Sequence, residues 1–396
     1  MANDYQQLFP YPQIRDSQAE ALRLAISAFA SGKRFVIIEA GTGVGKSAIG
    51  YTLAKYYSLN RQQQNEGTGP GTYFVTTQKI LQEQYLRDFS QHGMRSIKSA
   101  QNFRCKYKKS NSCAETKNEL RFDKSAQKLA VCMSKCVYKM AKQDFLSAEL
   151  SVTNFPYLLV ESNFSGQIKP RELLIIDEAH NACSELSKFV EVSVSTRFLS
   201  KVLKLDFPEA GTQSQAYTWV KDVYFPKLKS HLRHVEKMLQ KFSNLREKLA
   251  QFMSLFKQLE QLESHYKKVD RFLAVYDKDN WVHDIVEEKL VKRLIFKPIA
   301  PGSFAESTLF RLGEKVLLMS ATILDKDGFC DMLGIPLADT SFISIPSPFP
   351  VENRPIVPVA IAKMTSNDID NSLPKIAAAI KKILAKHKNE KGIIHT

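Results

Sequence analysis

The segment at positions 39–47 reads Glu-Ala-Gly-Thr-Gly-Val-Gly-Lys-Ser, between an apolar run at 35–38 and a helix-like stretch. Closely spaced glycines let backbone N–H groups surround phosphate oxygens, and a following helix adds its positive dipole end. Lys46 can reach the terminal phosphates and Ser47 can bind Mg²⁺. The strict pattern has glycine at position 40, where this chain has alanine. The segment predicts ATP and Mg²⁺ binding by Ala40, Gly41, Thr42, Gly43, Val44, Gly45, Lys46 and Ser47.

A second candidate group consists of two adjacent carboxylates. The apolar run at 173–176 predicts a buried parallel strand, and Asp177, Glu178, Ala179 and His180 follow it directly. Asp177 can bind Mg²⁺ held by Ser47, while Glu178 can activate a water molecule. The alternative is a solvated helix start with Asp177 as its cap. The nearby phosphate loop favours the catalytic interpretation.

A third apolar run, at 316–319, ends in Ser320, Ala321 and Thr322. This places two hydroxyl groups where a further strand would leave the sheet. Hydroxyl-rich triplets are common, so the order of the three segments along the chain carries more information than this triplet does.

Residues 95–142 combine basic charge with cysteines. This segment contains thirteen lysines and arginines against three acidic residues, so it holds +10 of the net charge of +15. Its aromatic residues suit the stacking of bases, and the charge suits single-stranded nucleic acid; a solvated basic surface is the alternative. Four cysteines fit a [4Fe-4S] cluster or zinc, with independent free thiols as the other possibility. They are Cys105, Cys113, Cys132 and Cys136, spaced C-x7-C-x18-C-x3-C.

Beyond the acidic motif, apolar residues recur at steps of three and four between 228 and 262. This pattern predicts a long helix or a helical hairpin, possible breaks being at Ser243 and Asn244; a dimeric coiled coil would give a similar pattern. Near the end of the sequence, residues 356–361 are strand-like, residues 373–387 are helix-like, and residues 392–396 follow them. They predict the start of another α/β domain.

The ordered motifs resemble those of superfamily 2 helicases, including the DEAH box at 177–180. Residues 15–18 (Arg-Asp-Ser-Gln), 154–159 (Asn-Phe-Pro-Tyr-Leu-Leu) and 347–349 (Ser-Pro-Phe), with the four cysteines, narrow the resemblance to the XPD/DinG group of iron-sulfur DNA helicases. The resemblance implies that Arg15 and Gln18 help to bind the nucleotide, with Gln18 on adenine. It further implies that Thr76, Thr77 and Gln78 lie near the DNA. Catalysis would involve Lys46, Asp177, Glu178, His180, Ser320 and Thr322, and iron would be favoured over zinc.

The expected fold class is α/β, a RecA-like P-loop parallel sheet interrupted by insertions. Residues 1–94, 145–190 and 305–345 would form the ATP-binding motor domain. Residues 95–144 would be the iron-sulfur insertion, 191–304 a helical, arch-like insertion, and 346–396 the start of an incomplete second RecA-like domain. Because a missing arginine finger costs roughly 10³ to 10⁵ in rate, a second polypeptide could be needed to complete the motor.

The leading hypothesis is therefore an ATP-dependent DNA helicase that moves 5′ to 3′ on single-stranded DNA or at a junction of single- and double-stranded DNA, in the setting of DNA repair. One alternative is a module that binds ATP and single-stranded DNA but cannot unwind alone. Another is a P-loop ATPase acting on protein. No apolar run approaches the ~20 residues of a membrane helix, and no signal peptide is evident. An intracellular protein, cytoplasmic or nucleoid-associated, is expected.

Overall fold

The computed structural model describes residues 5–60, 67–107, 109, 111–122, 136–242, 249–288, 290–353 and 355–394. The chain divides into two compact units, Met1–Ser347 and Pro348–Thr396. Within the described ranges, no helix has the length and apolar character needed to cross a bilayer.

The first unit is organised by a seven-stranded parallel sheet, in agreement with the predicted α/β class. The order across the sheet is β10-β1-β9-β5-β2-β4-β3. Its strands are β1 (Phe35–Ala40), β2 (Gly69–Thr76), β3 (Arg95–Ser96), β4 (Leu150–Asn154), β5 (Arg171–Asp177), β9 (Gly313–Ser320) and β10 (Thr340–Ile345).

Both faces of this sheet are buried, which explains why the central strands are continuously apolar in sequence. Successive side chains point to opposite faces. Ile37 and Ile176 pack into one apolar cluster. Their neighbours Ile38 and Ile175 pack into the other. Because all the strands are parallel, the three motif segments that follow β1, β5 and β9 come to the same edge of the sheet.

Helices connect the strands, and several of them cover the two faces. The longer helices are Asp16–Ala30, Lys46–Leu59, Lys79–Phe89, Cys113–Phe122, Val137–Ser147, Phe155–Phe164, Ala182–Val190, Gln213–Trp219, Phe225–Phe242, Leu249–Val275, Lys326–Met332 and Ile369–Lys386.

The predicted helical hairpin is confirmed by the pair Phe225–Phe242 and Leu249–Val275, which pack against each other. Leu228, Leu239 and Leu259 are buried in the same apolar cluster. An intramolecular partner therefore buries the apolar stripe that a dimeric coiled coil would also have explained. Ser243 and Asn244, the predicted break, lie outside the described residues.

The interpretation of 191–304 as a helical insertion was incomplete. This segment also contributes a three-stranded antiparallel sheet, in the order β6-β8-β7. Its strands are β6 (Val192–Ser195), β7 (Trp281–Glu288) and β8 (Val291–Pro298). Only part of each strand is buried, so their apolar pattern is weak and was overlooked beside the strong helical period.

The unit Pro348–Thr396 agrees only in part with expectation. The predicted helix is present as Ile369–Lys386, but the predicted strand at 356–361 is wrong, because that segment has no ladder partner. Pro355 and Pro358 also lack the N–H groups that a paired strand needs. Residues 392–394 are not a strand either, and residues 395–396 lie outside the described residues. The start of a second RecA-like domain stays a prediction.

Candidate functional site

The phosphate loop connects the end of β1 to the helix Lys46–Leu59. Gly43 and Gly45 have φ angles of 87° and 91°, a region that residues with a side chain rarely adopt. Lys46 is the first residue of the helix, and its Nζ donates to the Ala40 carbonyl at 3.1 Å. The loop has the conformation and the cation required of an anion-binding turn at a helix start.

Gln18 and Arg15 hold this loop from outside. The Gln18 Nε2 donates to the Val44 carbonyl at 2.8 Å, and its Oε1 accepts from the Arg15 N–H at 3.0 Å. Arg15 Nη1 donates to the Gly43 carbonyl at 2.7 Å. A Cβ on Gly45 would lie 2.5 Å from Gln18 Nε2, so only glycine fits beside this amide. Support of the loop is a role for Gln18 that the sequence did not reveal; its contact with adenine stays a prediction.

Asp177 ends β5 and is buried, with its two carboxylate oxygens occupied separately. Oδ1 accepts from the Glu178 N–H at 3.0 Å, and Oδ2 accepts from the Tyr85 hydroxyl at 2.9 Å. Burial raises the pKa of the Asp177 carboxyl, while the Tyr85 hydrogen bond and the nearby Lys46 cation act in the opposite direction. Lys46 and Asp177 are therefore electrostatic neighbours, as the phosphate-loop and acidic-motif predictions require.

Tyr85 is a site residue that the sequence analysis missed. It lies on the helix Lys79–Phe89, is buried, and its hydroxyl donates a hydrogen bond to the Asp177 side chain. Burial raises the pKa of its hydroxyl well above the ordinary value, and the Asp177 charge adds to that rise. A tyrosine on an amphipathic helix is indistinguishable from a core residue by pattern alone, so no sequence signal identified it.

Glu178 and His180 sit in the turn that follows β5. Glu178 has a left-handed backbone, with φ of 52°. His180 Nδ1 lies 2.8 Å from the Ser320 Oγ and 3.4 Å from the Glu178 Oε2, and Asn181 Nδ2 lies 2.8 Å from its Nε2. The structure thus brings the acidic motif into contact with the triplet at the end of β9. A positive φ at a non-glycine residue is uncommon and concentrates at functional sites.

The end of β9 is tied to the end of β1. Ser320 Oγ accepts from the Thr322 N–H at 3.3 Å, so Thr322 joins the site through its backbone, while its side chain is exposed. Glu39 Oε1 accepts from the N–H groups of Ile323 and Leu324 at 2.6 and 3.1 Å. Glu39 stands at the start of the phosphate-loop segment in the sequence, but its link to the third motif was not predicted.

Thr76, Thr77 and Gln78 follow β2 with increasing exposure. Thr76 is fully buried and its Oγ1 donates to the Gln78 carbonyl at 3.2 Å, Thr77 is half-buried, and Gln78 is exposed. Lys79, the next residue, donates to Asn102 Oδ1 at 3.0 Å. Thr77 and Gln78 are therefore the members of this trio available to a ligand.

Backbone pairing brings two of the four clustered cysteines to neighbouring positions. A bridge between Arg104 and Ser112 pairs the backbone beside Cys105 and Cys113, both of which are buried. Burial chiefly raises the pKa of Cys113 to about 11, and the Cys136 and Cys105 thiols add to the rise. Cys132 lies outside the described residues. Among the side chains that are described, no three form a group that could hold a metal ion.

Cys183 and Cys330 lie outside this group of four and are free thiols at other places in the fold. Burial raises the pKa of each.

A cavity of about 1210 Å³ adjoins the cysteine-containing segment. Residues of that segment, of the helix Phe155–Phe164 and of the hairpin helix Leu249–Val275 line it. Its lysines are Lys79, Lys117 and Lys268, and its tyrosines Tyr138 and Tyr157 have hydroxyls 3.0 Å apart. The lining also contains acidic residues; one of them, Glu161, is paired with Lys142 at 2.5 Å. The cavity is large and polar enough for a charged polymer.

Similarity to known structures fits this arrangement. A structure titled XPD helicase is 18% identical, with a TM-score of 0.55, and the alignment covers 96% of this chain and 71% of that one. The chain has the fold of an XPD helicase. The XPD fold is also seen in Xpd4 of S. tokodaii, at 14% identity and a TM-score of 0.48, with 95% of this chain and 69% of that one aligned.

A family model adds a match within the same region. The model for the res subunit of type III restriction enzymes matches residues 11–207, which contain the phosphate loop, the acidic motif and the cysteine segment. No curated protein matches this sequence. The assignment of the fold therefore rests on structural similarity, whereas the proposed chemistry rests on the geometry of the site.

Proposed function

We propose that this protein is a superfamily 2 helicase that uses ATP hydrolysis to move along single-stranded DNA. One observation carries the proposal: the Asp177 carboxylate, which accepts from the Tyr85 hydroxyl at 2.9 Å, lies close enough to Lys46 of the phosphate loop for the two charges to interact. Ser47 follows Lys46 at the start of the helix. Two oxygen ligands suited to Mg²⁺ thus lie beside Lys46, where a bound triphosphate would place its terminal phosphates.

The roles of the site residues follow from this placement. Backbone N–H groups of the loop and Lys46 would bind the β- and γ-phosphates, and Ser47 with Asp177 would hold Mg²⁺. When bound, the metal supplies charge neutralisation on the phosphate oxygens. Glu178, half-buried and next to Asp177, would orient and deprotonate the attacking water. Its left-handed backbone directs its side chain differently from that of Asp177, which supports separate roles for the two carboxylates.

We assign the coupling of ATP hydrolysis to movement along DNA to the contact between His180 and Ser320. A change at the γ-phosphate would alter Glu178, whose carboxylate faces His180 at 3.4 Å, and His180 would pass the change to Ser320. Ser320 is bound to the backbone of Thr322, and Glu39 fixes the residues after it. These contacts form a continuous chain between the acidic motif and the loop after β9, as coupling through two discrete arrangements would require.

The single-stranded DNA is proposed to run through the cavity beside the cysteine segment. Lys79, Lys117 and Lys268 would neutralise phosphates, and Tyr138 could stack on a base. Thr77 and Gln78 lie directly before Lys79 and would contact the sugar-phosphate backbone of the same DNA strand. The hairpin Phe225–Phe242 and Leu249–Val275 would cover this path, as the arch-like role implies. The direction, 5′ to 3′, is taken from the resemblance to the XPD/DinG group.

Cys105, Cys113 and Cys136, with Cys132, are proposed to hold a [4Fe-4S] cluster. The fit rests on Cys105 and Cys113, which are buried beside a backbone bridge, and on Cys136, whose thiol adds to the rise in the Cys113 pKa. A cluster there would add stability to this segment and fix its basic surface near the DNA. Zinc, which uses the same thiolate ligands, is the less favoured occupant.

The first experiment measures ATP hydrolysis by the anaerobically purified chain with and without single-stranded DNA, together with unwinding of a 5′-tailed and a 3′-tailed duplex. We expect hydrolysis to rise at least 10-fold with DNA, unwinding only of the 5′-tailed duplex, and loss of both in Lys46→Ala. Lys33→Ala serves as the matched control, because Lys33 binds the Ala338 carbonyl away from the loop. ATP hydrolysis that is not stimulated by DNA would favour a P-loop ATPase that acts on protein. ATP and DNA binding without hydrolysis would favour the binding module.

A further inference from the structure

The hydroxyl of Tyr85 makes a hydrogen bond whose direction can be assigned. It donates its one hydrogen to Asp177 Oδ2, at 2.9 Å, because a carboxylate can only accept. A carboxylate has further lone pairs on both oxygens, so this bond leaves Asp177 able to bind a cation as well.

Asp177 is oriented by the same contact. Its Oδ1 is fixed by the Glu178 N–H at 3.0 Å and its Oδ2 by Tyr85, so the carboxylate plane cannot rotate freely. Side chains that orient metal ligands from behind commonly contribute 10- to 100-fold to metal affinity. Tyr85 has this relationship to Asp177.

The tyrosine ring itself is held by an aromatic cluster. Its centroid lies 5.4 Å from that of Phe74 and 6.0 Å from that of Phe89, and Phe89 is stacked on Tyr51 at 4.7 Å. All four rings are buried. The position of the hydroxyl is therefore set by packing and does not depend on the bound ligand.

We propose that Tyr85 is a positioning residue for Mg²⁺, which holds the Asp177 carboxylate ready for the cation. This inference rests on the proposed nucleotide site and adds a residue that lies outside the helicase motifs. It predicts that the tyrosine acts on the Mg²⁺ requirement and not on the nucleotide itself.

The test compares the whole chain with Tyr85→Phe, which keeps the ring and removes only the hydroxyl. Binding of a fluorescent ATP analogue is titrated in EDTA and then against increasing Mg²⁺. We expect the Mg²⁺ concentration at half-maximal binding to rise about 10-fold, with nucleotide affinity in EDTA unchanged. Tyr51→Phe is the matched control, because Tyr51 belongs to the same cluster through Phe89 and makes no bond to either ligand in the described contacts. Its Mg²⁺ midpoint should equal that of the unsubstituted chain.

A double variant checks that Tyr85 acts through Asp177. In an Asp177→Asn background, Tyr85→Phe should raise the Mg²⁺ midpoint by clearly less than 10-fold, because the carboxylate that Tyr85 orients is already absent. An unchanged midpoint in Tyr85→Phe would overturn the inference. So would equal losses of affinity with and without Mg²⁺, which would indicate a purely structural role. If the unsubstituted chain binds no nucleotide at all, the proposed function fails together with it.

Discussion

The imidazole of His180 and the hydroxyl of Ser320 are 2.8 Å apart, although 140 positions separate them in the chain. Ser320 is fully buried and His180 is exposed, so the contact joins the buried end of β9 to a side chain at the surface. It joins the segment that follows β5 to the end of β9, and these strands are adjacent in the sheet. Four predictions follow from this and other contacts.

Ser320→Ala should separate hydrolysis from movement. Without the hydroxyl, His180 loses its partner and the Thr322 N–H loses its acceptor, while Lys46, Asp177 and Glu178 are untouched. Because a hydrogen bond contributes about 0.5 to 1.5 kcal/mol, we expect unwinding to fall by up to about 10-fold with basal hydrolysis within about 2-fold of normal. Unwinding and hydrolysis are measured on the same sample. Ser307→Ala, at an exposed hydroxyl, is the control, and a parallel fall in both rates would contradict the coupling role.

Gly45→Ala should abolish nucleotide binding. The new Cβ would meet the Gln18 amide at 2.5 Å, at a φ of 91° that alanine tolerates poorly. Gly67→Ala is a matched control, since Gly67 has a φ of 92° with nothing within 4 Å of the added Cβ. Both variants carry the backbone penalty of about 1 kcal/mol or more, but only the first distorts the loop. Calorimetry with ATP should detect binding in Gly67→Ala and none in Gly45→Ala; equal affinities would show that the contact with Gln18 is unimportant.

Glu178→Gln should stop hydrolysis and preserve binding. The amide keeps the size of the side chain but cannot accept a proton, and general-base catalysis contributes about 10²- to 10⁴-fold. We expect the rate constant for hydrolysis to fall at least 100-fold, with ATP affinity within about 3-fold. Glu306→Gln, which alters an exposed carboxylate paired with Arg34, should leave both unchanged. A fall of less than 10-fold in Glu178→Gln would move the role of base to another group.

The histidine that lines the cavity should make stability depend on pH. Burial lowers the pKa of His265 to about 4, Lys268 adds to this effect, and Tyr224 Oη lies 2.5 Å from its Nε2. The unfolded chain, with an ordinary pKa of 6.5, binds this proton more readily than the folded chain. The contribution is therefore fully present above pH 6.5 and is lost as the pH falls toward 4, by about 3 kcal/mol in total.

His265→Gln removes the titrating group and provides the measurement. The difference in free energy of unfolding between the unsubstituted chain and this variant should change by about 3 kcal/mol between pH 7 and pH 4. His387→Gln, at an exposed histidine, serves as the control. A difference that stays constant across this pH range would show that His265 is not held neutral by the fold.

Apolar runs in the amino-acid sequence were sufficient to predict the parallel sheet and the place of the candidate site residues along one edge of it. Continuous apolar runs indicate buried parallel strands, and parallel strands bring their carboxyl ends to one edge of the sheet. The phosphate loop, Asp177 and Ser320 could therefore be placed together from the sequence alone. The helical hairpin was foreseen for a similar reason, because its apolar period is long and regular. Glycine spacing identified the loop because few sequences other than such loops require it.

Tertiary structure alone decided which side chains serve these groups. Tyr85, Gln18 and Glu39 reach the site from other segments, and their sequence neighbourhoods look like an amphipathic helix, a helix start and a strand end. Packing fixed the direction of each side chain, which no local pattern records. The strand predicted at 356–361 failed for the same reason, since a strand exists only where another strand offers hydrogen bonds. Local sequence sets what a segment can form, and long-range contacts select which of those forms is present.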